Sequence, residues 1–112
     1  MGKKVRSFES QFKDYVGQKG ALMVNSGSSA NLLALSALSS PNFDNRIKPG
    51  DEVICPAVTW STTFYPILNV WAKPVLVDVG LNTFNVSPET IENAITPKTK
   101  AIMAVHLMGN PC

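Results

Sequence analysis

Residues 52–79 read EVICPAVTWSTTFYPILNVWAKPVLVDV, and this stretch decides the fold. Glu52-Val53-Ile54-Cys55 is a short apolar run stopped by Pro56, the pattern of a buried strand. From Ser61 to Trp71 the apolar residues Phe64, Ile67, Leu68 and Trp71 recur at helical spacing, with Pro66 expected near the first turn or at a kink. Val75-Leu76-Val77, continued by Asp78 and Val79, is the next strand. Strand, helix, strand with no two-residue hairpin signal implies a crossover connection and parallel pairing.

The same alternation extends in both directions. Upstream, Ala21-Leu22-Met23-Val24 is a further strand candidate, and Asn25-Ser26-Gly27-Ser28-Ser29 behind it supplies turn and helix-cap chemistry. Ala30 to Leu38 is rich in Ala and Leu and apolar nearly all round, which predicts a helix buried on most sides. A first amphipathic helix is expected over Arg6–Val16, with Gly17 and Gly20 as stop signals. Ser39 to Gly50 reads as a surface connection. Downstream, Ser87-Pro88-Glu89 opens a short helix and Ala101 to Val105 forms a fourth strand. The class is α/β, with no internal repeat and no internal domain boundary. His106 to Cys112 follow the last strand without a covering helix, so the chain reads as cut.

Composition narrows the function classes. The chain has 112 residues, 45% of them hydrophobic and 16% charged, which is the make-up of a folding chain. Its net charge of +2 is scattered, so neither a nucleic acid nor a membrane is expected as partner. Cys55 and Cys112 are too few for a disulfide scaffold and lack zinc spacing, which points to a reducing cytoplasm and no metal. No signal peptide and no membrane-spanning run is read in the sequence.

Ligands of open α/β sheets bind beyond the carboxyl ends of the strands. That rule selects Asn25–Ser29, Pro56–Ser61, Asp78–Asn82 and His106–Asn110. Around Ser28, glycine and free helix-start amides suit a phosphate, although Ser and Asn also cap helices without any ligand. The stretch is not a P-loop, a dinucleotide fingerprint or a nucleophile elbow. Trp60 either stacks on a planar heteroaromatic ligand or packs in a core beside Phe64. His106, the one histidine, reads as buried and hydrogen-bonded, and Asp78 as a turn cap or a phosphoryl acceptor.

Taken in order, Asn25-Ser-Gly-Ser-Ser-Ala-Asn31, Lys48-Pro-Gly-Asp-Glu-Val-Ile-Cys-Pro-Ala-Val-Thr-Trp60, Ala72-Lys-Pro-Val-Leu-Val-Asp-Val79 and Lys98-Thr-Lys-Ala-Ile-Met-Ala-Val-His-Leu-Met-Gly-Asn-Pro111 strongly resemble the DegT/DnrJ/EryC1/StrS family of sugar aminotransferases. The resemblance covers essentially the whole chain. It implies the three-layer, mostly parallel large domain of a fold-type I enzyme dependent on pyridoxal 5'-phosphate, here truncated to about four strands. It also implies a cytoplasmic homodimer that moves an amino group from a donor such as glutamate to a nucleotide-linked keto-sugar, for lipopolysaccharide, other surface polysaccharide or deoxyamino-sugar biosynthesis.

Carried over by position, Ser28 and Ser29 match the pair that holds the cofactor phosphate, with Gly27 allowing close approach, and Trp60 matches the residue that stacks on the pyridine ring. No catalytic residue is assigned. The family's cofactor-bonding lysine, and the carboxylate that pairs with the ring nitrogen, lie downstream of Cys112, so this chain is expected to be inactive alone. A branch of the family, the 3-dehydratases of CDP-linked 4-keto-6-deoxy sugars, replaces that lysine with histidine and dehydrates the sugar with the aminated form of the cofactor. The long Ser39–Pro49 connection, the double serine and Asn110 resemble that branch, whereas Trp60 and the His-Leu-Met-Gly order resemble the aminotransferases. A third reading, from another class, is a freestanding α/β module with Asp78 as phosphoryl acceptor.

Overall fold

The computed structural model describes residues 2–112. They form two compact units, the first ending at Ala30 and the second running Asn31–Cys112.

The first unit holds helix α1 (Lys3–Tyr15). Its apolar residues share a face, where Phe8 and Phe12 stack with ring centroids 5.6 Å apart. Gly17, at a φ of 68°, ends the helix. Its N–H donates to the Asp14 carbonyl at 3.3 Å and that of Gln18 to Lys13 at 2.9 Å, a paired arrangement that satisfies the last carbonyls of a helix. The expected strand Ala21–Val24 does not form, so three strands are present among the described residues where four were expected. A strand needs a neighbour for its backbone groups, and this run has none here; the Met23 N–H donates instead to the Glu9 carboxylate at 2.9 Å.

The second unit is a three-stranded parallel sheet of order β2-β1-β3, made of β1 (Glu52–Pro56), β2 (Lys73–Val77) and β3 (Thr99–Ile102). All five residues of β1 are buried. Because side chains alternate across a strand, Val53 and Cys55 enter one core with Leu35, Ile47, Ile67 and Ala72. Ile54 enters the other, with Val77 and Val86. Helix α3 (Ser61–Asn69) packs on β1 and β2, and Leu35 of α2 (Gly27–Leu38) joins the first core. Leu32, Leu33 and Leu38 remain exposed, so α2 is not buried on most sides here. The short α4 (Pro88–Glu92) starts at Ser87, whose side chain and that of Thr90 cap each other's backbone N–H groups.

Pro66 lies inside α3, away from its first turn. Proline has no N–H, so the carbonyl four residues back, Thr62 O, loses its helical partner. Asn31 on α2 supplies the missing donor, its Nδ2 reaching Thr62 O at 3.1 Å. Replacing Asn31 by Ala is therefore expected to cost about 1 kcal/mol in a denaturant titration, the cost of an unmet, partly buried acceptor. Adding Pro66→Ala should recover much of that loss, because an alanine N–H at this position restores the helical bond.

At the start of β1, Glu52 accepts the Thr96 hydroxyl at 2.6 Å and the Lys73 ammonium at 3.4 Å. The Thr96 bond leads in holding its carboxyl below the usual 4.5, against the opposing effect of burial. A carboxyl depressed on folding contributes stability above its unfolded value and loses it as the pH falls through the folded one. Stability should thus decline on acidification below pH 4.5, and Glu52→Gln should flatten that decline when melts are compared across pH.

Candidate functional site

The parallel strands of the second unit all point their carboxyl ends the same way, and the residues singled out there emerge as loops. β1 ends at Pro56, and the Ala57 N–H donates to Val77 O at 2.8 Å, which ties the loop to the end of β2. Trp60 then stands as the residue that precedes α3, with extended backbone and a side chain 74% exposed. Among the described residues the indole is not packed into a core. It borders a cavity of about 330 Å³ lined also by Thr59, Ser61, Phe64, Tyr65 and Leu76. Behind it, Thr59 Oγ1 donates to Thr63 Oγ1 at 3.0 Å, which fixes the turn that presents the ring. An open indole beside an aromatic-walled cleft suits a flat heterocycle.

Gly27, Ser28 and Ser29 form the first turn of α2 in the first unit. Ser26 caps this helix, its Oγ accepting the Ser29 N–H at 3.1 Å. The Ser29 hydroxyl donates to Asn25 Oδ1 at 2.6 Å. The amides of Gly27 and Ser28 have no partner within the helix, and no atom lies within 4 Å of a Cβ built on Gly27. These groups fit an anionic oxygen cluster, with the Ser28 hydroxyl beside them. The Ser29 N–H and hydroxyl hydrogen are thus both taken up by bonds to Ser26 and Asn25.

The loops after β2 and β3 are stitched together by a residue that sequence reasoning missed. Asn85 is buried, donates from Nδ2 to Asn110 O at 2.9 Å and accepts the Leu107 N–H at 3.3 Å. Asn110 Nδ2 returns a bond to Thr83 O at 3.2 Å. The available signal was an amide set between Phe84 and Val86, where a buried polar group must find partners. Beside this clamp a cavity of about 520 Å³ is lined by Asp78, Gly80, Ser87 and Thr90 among others. Asp78 uses its Oδ1 to accept the next residue's N–H at 2.8 Å, the turn-capping role. His106 is exposed, contrary to expectation, because no helix among the described residues covers the turn Leu107–Gly109; its Nδ1 accepts the Cys112 N–H at 3.1 Å.

Among the described residues no three His, Cys, Asp or Glu side chains gather as a metal-ligand set, and no helix is long and apolar enough to cross a membrane.

The DegT/DnrJ/EryC1/StrS aminotransferase family matches the chain over residues 1–112. A dTDP-4-dehydro-2,6-dideoxy-D-glucose 3-dehydratase from Saccharopolyspora spinosa is 50% identical, over 98% of this chain and 24% of its own length. The structure of an E. coli GDP-4-keto-6-deoxy-D-mannose-3-dehydratase with bound hydrated PLP superposes with a TM-score of 0.90 at 46% identity, covering 100% of this chain and 28% of that one. A putative sugar aminotransferase from Streptococcus pneumoniae in its PLP form gives a TM-score of 0.85 at 36% identity, covering 100% of this chain and 27% of that one. The chain spans about a quarter of the length of the relatives it matches.

The two thiols should differ sharply. Cys55 is buried in β1 and desolvation pushes its pKa up, whereas Cys112 is exposed. An aromatic disulfide reagent should titrate one thiol in the native protein and the second only after denaturant is added.

Proposed function

The chain belongs to the DegT/DnrJ/EryC1/StrS aminotransferase family, PLP-dependent enzymes of nucleotide-sugar and lipopolysaccharide biosynthesis, and from that premise we propose that it is the amino-terminal part of the cofactor-binding domain of such an enzyme. In this reading the two compact units serve one function. The amides of Gly27 and Ser28, with the hydroxyl of Ser28, anchor the phosphate of pyridoxal 5'-phosphate, the neighbouring Ser29 holds the turn that presents them, and the Trp60 indole covers the cofactor ring. The bound cofactor supplies an electron sink for the substrate carbon. The chain's own part is to anchor the anion on helix-start N–H groups and to cover one face of the ring against water. The observation that carries this reading is the open indole of Trp60, 74% exposed where a core tryptophan would be buried.

The substrate is read as a nucleotide-linked keto-sugar and the whole enzyme as a cytoplasmic homodimer that takes amino groups from glutamate. Two reactions fit this family. Removal of the C3 hydroxyl of a 4-keto-6-deoxy sugar is favoured by the higher identity to a 3-dehydratase, 46% against 36% for a sugar aminotransferase of known structure. Amino transfer to the keto-sugar is the second reading. A freestanding module with Asp78 as phosphoryl acceptor has less support, since that carboxylate is occupied by its own turn.

Pyridoxamine 5'-phosphate tests the cofactor reading cleanly, because it has no aldehyde to react with surface lysines. In a Trp71→Phe background the remaining indole reports on Trp60 alone. Saturable quenching is expected, weakened about tenfold by Ser28→Ala or by omitting the phosphate. Equal binding of phosphate-free pyridoxamine, or no quenching at all, would overturn the assignment.

A further inference from the structure

The carboxyl edge of the sheet absorbs Trp60, but the second tryptophan stands at the opposite edge, just before β2. The spacing of Phe64, Ile67, Leu68 and Trp71 predicts a place on the buried face of α3; instead Trp71 is 78% exposed. It also adopts a φ of 61°, the left-handed region. The local hydrogen bonds explain why. α3 closes as α1 does, with the Trp71 N–H donating to Leu68 O at 2.9 Å and the Ala72 N–H to Ile67 O at 3.1 Å. α1 places glycine at this point; α3 places the bulkiest side chain. An L-residue there stores strain that glycine avoids, and the indole gains no burial in return. Such an outlier is grounds for a functional hypothesis.

Trp71 borders a cavity of about 330 Å³ together with Ser39, Arg46, Lys48 and Val70. Backbone bonds pin each wall. Lys48-Pro49-Gly50-Asp51 is a tight turn with the Asp51 N–H on Lys48 O at 3.0 Å and Gly50 at a φ of 86°. The Gly50 N–H donates to Trp71 O at 2.9 Å, and the Ile47 N–H to Leu38 O at 2.9 Å. Neither Arg46 nor Lys48 forms an ion pair among the described residues. The carboxylate nearest in this turn, Asp51, accepts the Lys48 N–H at 2.8 Å and is not part of the cavity wall.

We propose that this cleft, formed by Trp71, Arg46 and Lys48 at the amino edge of the sheet, is a second binding site, for a nucleoside mono- or diphosphate. The strained indole offers a stacking face for the base, and the two unpaired cations receive the phosphate. The cleft has the volume of a small-ligand site. The site is independent of the cofactor reading, whose Trp60 lies after the carboxyl end of β1.

GDP and UMP are the probes, with Trp60→Phe making Trp71 the sole indole. Saturable quenching is expected, weakening as salt rises. Arg46→Ala with Lys48→Ala should lower affinity about tenfold or more. Trp71→Gly, followed by calorimetry in the presence of Trp60, should lose binding while its melting temperature rises by several degrees, so a folding defect cannot account for the loss. The proposal is overturned if GDP gives no saturable signal, if Trp71→Gly binds as the parent does, or if inorganic phosphate or an acidic peptide competes as well as the nucleotide.

Discussion

Strand β1 meets water on neither face, and the rest of the second unit depends on that. Val53, Ile54 and Cys55 are essentially without exposure, and a parallel partner lies on each side. A strand so enclosed needs cover above and below, which the crossovers through α3 and the Val86–Ile91 region provide. The capacity of each loop to carry chemistry follows, because loops on a rigid sheet hold side chains in place. Trp60 and the Asn85 clamp both owe their positions to strands that end on the same side.

The structure also shows how a helix tolerates the wrong residue when a neighbour answers for it. Pro66 leaves a carbonyl open inside α3 and Asn31 closes it. Trp71 takes a glycine's place at the end of the same helix, yet the closing hydrogen bonds still form. In the first case the cost is removed by a bond. In the second it persists, and the indole stays exposed.

Much of this was legible in the residues. The apolar runs around Val53 and Val75, with helical spacing between them, gave the parallel α/β sheet, and Gly17 marked the end of α1. Ala21–Val24 misled because a buried-strand composition does not state where the partner strand comes from. Trp71 misled because periodicity counts apolar residues without knowing where the helix stops. For the site, Trp60 could be named and its exposure could not. Asn85 went unseen, since an isolated amide has no pattern; its meaning lies in contacts with Leu107 and Asn110, far along the chain.

The strand order has a consequence for how the chain is made. Glu52 pairs with Lys73 on one side and with Thr99 on the other. As the polypeptide leaves the ribosome, β1, α3 and β2 are therefore complete as a unit before β3 has been synthesised. Until Thr99–Ile102 arrives, one flank of the central strand stands open to any extended peptide nearby. Translation speed through residues 78–98 thus sets how long the nascent protein is vulnerable to mispairing.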